Sequence, residues 1–324
     1  MSNPKPDLER AIDEVVASYD GPEEINSLES AALPNRRAVI EAYQHLTQVI
    51  YMGFYSLRSL TRANLRYSLS EHLYPAHEIL VDQIARARSY EELQHRVEPK
   101  PPAWSEQVVL RFFHQLPSLR RCLAGDVVAA FQGDPAAGSI EEIVFSYPGI
   151  RALTAHRIAH MLYNEGVPMI PRIISEHAHG ETGIDIHAGA RIGARFFIDH
   201  GTGVVIGETT EIGNDVKVYQ GVTLGALSIQ RQRTPERSGR YKRHPTIGDN
   251  VTIYSGANIL GGNTVIGSGS VIGGNAWIVE SVPPNSRIFG REREAQPSHN
   301  DLSHNDLGHD TPPGANPLTP ARIE

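Results

Sequence analysis

The sequence contains a single cysteine, Cys122, among 324 residues, so the chain cannot form an intrachain disulfide. This cysteine usage favours a reducing compartment. Long apolar runs are also missing, since no stretch approaches the roughly 18 residues that a transmembrane helix needs. The first ten residues, MSNPKPDLER, do not resemble a secretory signal. We therefore expect a cytoplasmic protein that does not enter a membrane.

Aromatic residues make up only 7% of the chain, and acidic residues outnumber basic ones to give a formal net charge of −7. An acidic balance argues against general binding of nucleic acid. The apolar fraction of 40% fits a globular protein. With so few aromatic rings, the 29 glycines favour a β architecture with frequent turns in part of the chain.

Helical periodicity dominates the first half of the chain. Apolar residues recur at three- and four-residue steps from LERAIDEVVASY, near the N-terminus, to the segment HRIAHMLYNEG. Prolines and glycines punctuate this region, and we expect them to separate helices; these residues are Pro117, Gly125, Pro135 and Pro148. We predict an all-helical N-terminal domain over residues 1–182.

From about Gly183 the apolar period becomes six residues. Aliphatic residues recur at this step in four runs: Ile186, Ile192 and Ile198; Ile206, Ile212, Val218 and Leu224; Ile247, Ile253 and Ile259; and Ile266, Ile272 and Ile278. A helix does not repeat at this interval, whereas each hexad of a parallel β-helix forms one short side of a coil. We predict a β-helix over residues 183–290 and a disordered, proline-rich tail over residues 291–324.

The first break in the six-residue frame lies at DHGTG, because Ile198 and Ile206 are eight residues apart. This segment contains Asp199 and His200. Asp185 lies 15 residues before His200, close to one coil of three hexads, so we expect the two side chains to meet on neighbouring coils about 4.8 Å apart. A carboxylate that fixes the tautomer of an imidazole produces a general base. Turn residues without a catalytic role are the alternative.

The second break is a loop of about 20 residues between Leu224 and Ile247. Arg243 and His244 lie at its end. A pocket with carboxylates on one side and arginine and histidine on the other would suit an amino acid, which carries both an ammonium group and a carboxylate. The alternative for Arg243 is a solvated basic run, RQRTPERSGRYKR, which could also meet the phosphates of a nucleotide-like cofactor.

Two segments, GIDIHAGARIGARFFIDHGTGVVIGETTEIGNDVKVYQGVTLGA and KRHPTIGDNVTIYSGANILGG, resemble the serine O-acetyltransferases of the hexapeptide-repeat acyltransferase superfamily. The resemblance covers about residues 130–290, and its motifs DIH, DHGTGVVIGET and RHPTIG are specific. It implies a left-handed parallel β-helix. It also implies a homotrimer, or a dimer of trimers, with active sites between neighbouring subunits.

The resemblance further implies transfer of an acetyl group from acetyl-CoA to the hydroxyl of L-serine, which gives O-acetyl-L-serine for cysteine biosynthesis. His200 would be the general base, Asp185 would orient it, and His244 would be a second catalytic histidine. The hydroxyl would attack the thioester directly, with no acyl-enzyme and no metal.

The substrate-binding residues are implied in the same way. Arg243 and His244 would hold the carboxylate of serine, while Asp199 and Asp134 would receive its ammonium group. The backbone of three further residues would line the channel for the pantetheine arm of CoA: Gly225, Ser255 and Gly256. L-cysteine often inhibits this family from the serine site. Some members dock onto cysteine synthase through a C-terminal isoleucine, but Ile323 is penultimate here, which argues against docking by that route.

Other classes stay open. The same chemistry with another acceptor, such as an amino sugar or an antibiotic, would use the same coil, and a non-catalytic scaffold would need no base. A γ-type carbonic anhydrase would bind zinc through three histidines between subunits. His156 and His160 are four residues apart on a helix, a spacing typical of a surface pair, and three more histidines precede or begin the coils: His177, His179 and His187.

Overall fold

The computed structural model describes residues 5–21, 25, 33–56, 59–94, 96–227 and 241–289. The predicted disordered tail over residues 291–324 and most of the loop between Leu224 and Ile247 lie outside these residues. The described region belongs to one compact unit, which ends at Gly290.

Helices fill the described chain up to residue 182. They are α1 (Lys5–Ala17), α2 (Arg36–Ile50), α3 (Leu65–Leu93), α4 (Trp104–Gly133), α5 (Ile140–Ser146), α6 (Pro148–Asn164) and α7 (Ile170–Thr182), with a 3₁₀ turn at Ser18–Asp20. None of the helices in the described ranges combines the length and apolarity needed to cross a bilayer.

Two of the four expected helix breaks are wrong. Helix α4 runs through Pro117 and Gly125 without interruption, whereas Pro135 follows its end and Pro148 occupies the first turn of α6. An internal proline costs a helix about 3 kcal/mol. Packing offsets that cost here, because an apolar face continues on both sides of Pro117, formed by the buried residues Phe112, Leu116, Leu119, Leu123 and Val127.

Fourteen short strands follow in the described residues. They are β1 (Asp185–Ile186), β2 (Arg191–Ile192), β3 (Phe197–Ile198), β4 (Val205–Ile206), β5 (Glu211–Ile212), β6 (Lys217–Val218), β7 (Thr223–Gly225), β8 (Thr246–Ile247), β9 (Thr252–Ile253), β10 (Asn258–Leu260), β11 (Val265–Ile266), β12 (Val271–Ile272), β13 (Trp277–Ile278) and β14 (Arg287–Ile288).

These strands form three parallel sheets that are the three sides of a left-handed β-helix. The strand orders are β1-β4-β7-β10-β13, β11-β8-β5-β2 and β14-β12-β9-β6-β3. The chain passes from one sheet to the next at a corner. The fold predicted from the sequence is therefore confirmed.

The hexad residues form the core of the β-helix. Of the thirteen aliphatic residues in the six-residue frame, all are buried except Ile192, which is partly buried and packs against the same cluster. Stacked coils place them directly over one another, as in the pairing of Ile186 with Ile206 and of Ile206 with Leu224. Burial of this column excludes water from the inside of the coil and stabilises it.

A buried ion pair fixes the helices against the first coil. Asp126 of α4 is fully buried and accepts hydrogen bonds from Arg157 of α6 at 2.6 and 2.8 Å. The same guanidinium donates to the carbonyl of Gly193 at 2.8 Å, and the amide of Phe196 donates to Asp126 at 3.0 Å. A buried pair costs desolvation and repays it only when its hydrogen bonds are complete, as they are here. The division into domains at residues 182 and 183 stays a prediction.

Candidate active site

The corner between β3 and β4, residues 199–203, carries the first group of predicted site residues; we call it the His200 corner. His200 has a φ of 58° and is followed by Gly201 and Gly203 with φ of 94° and 80°. A left-handed backbone favours glycine, so the two glycines allow the turn. The imidazole projects from it with 70% of its side chain exposed, and its Nε2 lies 3.9 Å from Asp199 Oδ1.

Helix α4 brings a second carboxylate to the His200 corner. Asp134 directly follows α4 and accepts hydrogen bonds from the Tyr147 hydroxyl at 2.5 Å and from the Ala136 amide at 2.8 Å. These two bonds hold the pKa of Asp134 below its ordinary value, and the charges of Lys217 and His200 act in the same direction. The structure thus brings Asp134, Asp199 and His200 together, as the predicted ammonium site requires.

The corner between the sheet of β4 and β7 and the sheet of β5 and β8 carries the second group, at residues 207–209 and 242–244; we call it the His244 corner. His244 is 8% exposed, and its ring lies directly on Gly207, where a Cβ atom would collide with it. Nδ1 accepts from the Thr209 amide at 3.0 Å and lies 2.9 Å from the Thr209 hydroxyl. That hydroxyl accepts from the amides of Arg243 and His244, so its own proton points to Nδ1.

These hydrogen bonds determine the tautomer and the charge of His244. Because Nδ1 is an acceptor, the ring is neutral and its proton sits on Nε2. Burial first, and the charge of Arg243 second, lower the pKa of His244 from 6.5 to about 4. His244 is therefore a fixed hydrogen-bond donor near neutral pH.

Arg243 lies beside His244 and is partly committed to another residue. Its guanidinium pairs with Glu208 Oε2 at 2.5 Å, and the Tyr163 hydroxyl donates to Glu208 Oε1 at 2.7 Å. Burial alone would raise the pKa of Glu208, but these two hydrogen bonds hold it below its ordinary value. The sequence predicts no site role for Glu208 or Thr209 and predicts Tyr163 as a packing residue; the position of Glu208 and Thr209 in the VIGET segment is the available signal.

The expected contact between Asp185 and His200 stays a prediction. The first coil takes 20 residues, so Asp185 pairs with Val205, five residues after His200. A carboxylate oxygen of Asp185 lies within 4.8 Å of ligand atoms of Glu176 and His179 on α7. No hydrogen bond joins Asp185 to His200 among the described residues. The orienting role of Asp185 stays a prediction.

The three predicted CoA residues divide between the two corners. Gly225 ends β7, and the carbonyl of the preceding Leu224 accepts from the amide of Gly207 at 3.0 Å, which puts Gly225 on the His244 side. Ser255 and Gly256 follow β9 on the other edge, two coils after the His200 corner, where Gly256 has a φ of 71°.

Within the described ranges of one chain, no candidate metal cluster of three histidines is found. The candidate metal cluster found there, Glu176, His179 and Asp185, contains one histidine. His156 is not half of a surface pair as expected: it is 2% exposed, and burial holds its pKa well below 6.5. His160 contacts the carbonyl of Ala188 through Nδ1 at 2.8 Å.

Comparison with known proteins identifies the family. No family model matches the chain. A serine acetyltransferase of Synechococcus elongatus, described as plasmid-encoded, is 44% identical over 263 residues, which are 79% of this chain and 81% of that protein.

Solved structures agree. Serine acetyltransferase isoform 3 of Entamoeba histolytica, in complex with cysteine, superimposes with a TM-score of 0.65 and 36% identity, covering 81% of this chain and 85% of that one. A serine acetyltransferase in complex with CoA gives a TM-score of 0.50 and 26% identity over 78% of this chain and 97% of that one. With this fold and the relative from Synechococcus elongatus, the chain belongs to the serine acetyltransferase family.

Proposed function

We propose that this chain is a serine O-acetyltransferase that transfers the acetyl group of acetyl-CoA to the hydroxyl of L-serine. The observation that carries the proposal is the His200 corner, where an exposed imidazole lies 3.9 Å from Asp199 and close enough to Asp134 for its charge to act on that carboxylate. An amino acid presents a hydroxyl and an ammonium group close together. The corner offers a base for the first and negative charge for the second.

In the proposed reaction His200 takes the proton of the serine hydroxyl as its oxygen attacks the thioester carbonyl. The tetrahedral intermediate collapses with loss of the CoA thiolate, which takes the proton back from His200. The exposure of His200 supports this role, since the ring can reach a bound substrate. Asp199 lies close enough to stabilise the imidazolium that forms.

The His244 corner supplies the other half of the site. Its neutral ring would donate from Nε2 to the substrate carboxylate, and Arg243 would add positive charge despite its pairing with Glu208. Thr209 holds the His244 ring and Glu208 holds the Arg243 guanidinium, so little conformational freedom is lost on binding.

The two corners belong to different edges of the β-helix, because one joins β3 to β4 and the other lies between β7 and β8. We therefore propose that the site forms between subunits of a homotrimer, with the His200 corner of one copy facing the His244 corner of the next. A closed three-fold assembly would create three equal sites. A dimer of such trimers is compatible with this arrangement.

L-cysteine shares the ammonium and carboxylate of serine, so we propose that it inhibits by occupying the same site; the cysteine complex of the Entamoeba histolytica relative supports this. We propose a cytoplasmic location, in agreement with the single cysteine. The expectation against docking onto cysteine synthase depends on Ile323, which lies outside the described residues.

Thiol release from acetyl-CoA, measured with a panel of acceptors, tests the substrate. We expect release with L-serine and none with amino sugars or with D-serine. Release with an amino sugar and not with L-serine would contradict serine as the acceptor, although the protein would still be an acetyltransferase. The panel thus separates the proposal from the alternative acceptors.

Co-expression of His200→Ala with His244→Ala tests the shared site. Each variant alone removes one half of every site. Random mixing in trimers leaves both halves intact at about a quarter of the interfaces, so activity should return to about that fraction. Activity that stays at the level of the single variants would show that both residues serve one chain.

A further inference from the structure

Lys217 is a charged group at the His200 corner that has no role in the proposed reaction. It lies on β6, paired in register with Phe197 of β3, two residues before Asp199. Its side chain is 21% exposed. A lysine held this far from water needs partners for its charge.

Four contacts hold the ammonium of Lys217. It donates to the carbonyl of Gly133 at 2.6 Å and lies 3.2 Å from Asp199 Oδ2. It also lies over two rings, 4.8 Å from the centre of Phe197 and 4.6 Å from that of Tyr219. Burial alone would lower the pKa of Lys217, but its contacts with Tyr219 and Asp199 raise it, so the group stays charged.

These contacts reach both carboxylates of the predicted ammonium site. Asp199 is touched directly. Asp134 is reached through the carbonyl of Gly133, the residue before it, which ends α4. Gly133 packs closely against the coil, since a Cβ atom there would lie 2.7 Å from the ring of Phe197.

The charge balance of the predicted ammonium site explains why a lysine lies there. Two carboxylates facing one ammonium group present one negative charge too many, and they repel each other. Lys217 offsets one of those charges. One net negative charge then faces the single positive charge of the substrate, and the carboxylates can stay close together.

We propose that Lys217 is a positioning residue that fixes Asp199 and the Gly133–Asp134 end of α4 for the ammonium group of the amino acid substrate. This inference rests on the proposed function. Lys217 acts through the carboxylates and not on the reacting atoms. It therefore sets affinity for the amino acid and leaves the acyl donor unaffected.

Lys217→Met tests the proposal, because methionine keeps the apolar stem over Phe197 and Tyr219 and removes the charge. We expect KM for serine to rise about tenfold, the effect of one charge-assisted hydrogen bond, with kcat and KM for acetyl-CoA within about twofold. Lys217→Arg should keep KM for serine within about threefold.

Arg195→Ala is the matched control and should leave KM for serine unchanged. Arg195 pairs with Asp215 at 2.5 Å and donates to Gln132 of α4 at 2.8 Å, so it is another cation that joins the coil to this helix.

A double-mutant cycle with Asp199→Asn separates positioning from general destabilisation. If Lys217 acts through Asp199, adding Lys217→Met to Asp199→Asn should raise KM for serine by less than about twofold. Full additivity would overturn the proposal. So would an unchanged or lower KM in Lys217→Met, the lower value meaning that the lysine competes with the substrate ammonium. If Lys217→Met does not fold, a Lys217→Arg variant with a tenfold higher KM and an unchanged melting temperature would also contradict it.

Failure of this inference is distinguishable from failure of the proposed function. Wild-type protein that does not acetylate serine contradicts the function. Active wild-type protein whose KM for serine is insensitive to residue 217 contradicts only the positioning role.

Discussion

The two corners hold one histidine each, and their surroundings differ in every respect that sets the chemistry of an imidazole. The His200 ring is 70% exposed and stands on a left-handed backbone turn. The His244 ring is 8% exposed, lies on Gly207 and is held at Nδ1 by Thr209. An exposed ring is accessible to a substrate hydroxyl, whereas the His244 ring, with a fixed tautomer and a pKa of about 4, is a neutral donor from Nε2 near neutral pH.

Two identical side chains therefore differ in chemistry because of where they lie on the coil. Both rings lie at corners where the hexad frame is interrupted, so neither is part of the apolar core of the β-helix. Only His244 is enclosed, because it lies against Gly207 and Thr209 of the preceding coil. We therefore expect loss of His200 to remove the chemical step, and changes around His244 to act in a graded way.

His200→Ala gives the largest expected effect. Removal of a general base lowers turnover by about 10²–10⁴-fold, and the exposed position of the ring predicts an unchanged melting temperature. Steady-state kinetics and thermal unfolding measure both. His114→Ala removes a different exposed histidine, on α4, and should change neither turnover nor the melting temperature. Retention of more than about a tenth of kcat in His200→Ala would make the exposed ring a surface residue.

Gly207→Ala should come next. The new Cβ would occupy the place of the His244 ring and push it off its position, and a displacement of about 1 Å in an active site costs roughly 10²-fold. Gly180→Ala on α7 is the matched control, because a Cβ there meets nothing within 4 Å. We expect kcat/KM for serine to fall in the first variant alone. Equal activity of the two variants would contradict a role for His244 in the active site.

Thr209→Val should have a smaller effect. It removes the hydroxyl that orders the amides of Arg243 and His244 and leaves the Thr209 amide bonded to Nδ1. The hydroxyl makes three hydrogen bonds, but the Thr209 amide still holds Nδ1, so we expect a fall of about tenfold in kcat/KM. Thr209→Ser keeps the hydroxyl and should restore activity. A serine variant as impaired as the valine variant would assign the effect to packing.

The sequence predicts the apolar architecture well and the polar partners poorly. The six-residue frame identifies the core residues because burial depends only on local period. The grouping of Asp134, Asp199 and His200 also follows the expectation. The contacts of Lys217, Glu208 and Thr209 do not follow from the repeat, because they depend on coil length. That length is 20 residues from Asp185 to Val205 and 35 from Glu211 to Thr246, and it is set at the corners, outside the repeat.

The smallest effect is expected in stability against pH, and it tests the enclosed state of His244 without any assay of activity. In the unfolded chain the histidine binds a proton below about pH 6.5, whereas in the folded chain it binds one only below about pH 4. Between these values the unfolded state holds more protons, so stability rises with pH and is lost on acidification through this window.

His244→Gln should remove that dependence. From pH 7 to pH 5 the wild type should lose about 1–2 kcal/mol more unfolding free energy than the variant, allowing for partial screening. His156 is also buried with a lowered pKa, but it is present in both proteins and cancels in the difference. Denaturant unfolding at the two pH values measures the loss. Equal losses in the two proteins would mean that the His244 ring titrates as an exposed histidine does, and the contrast between the two corners would then disappear.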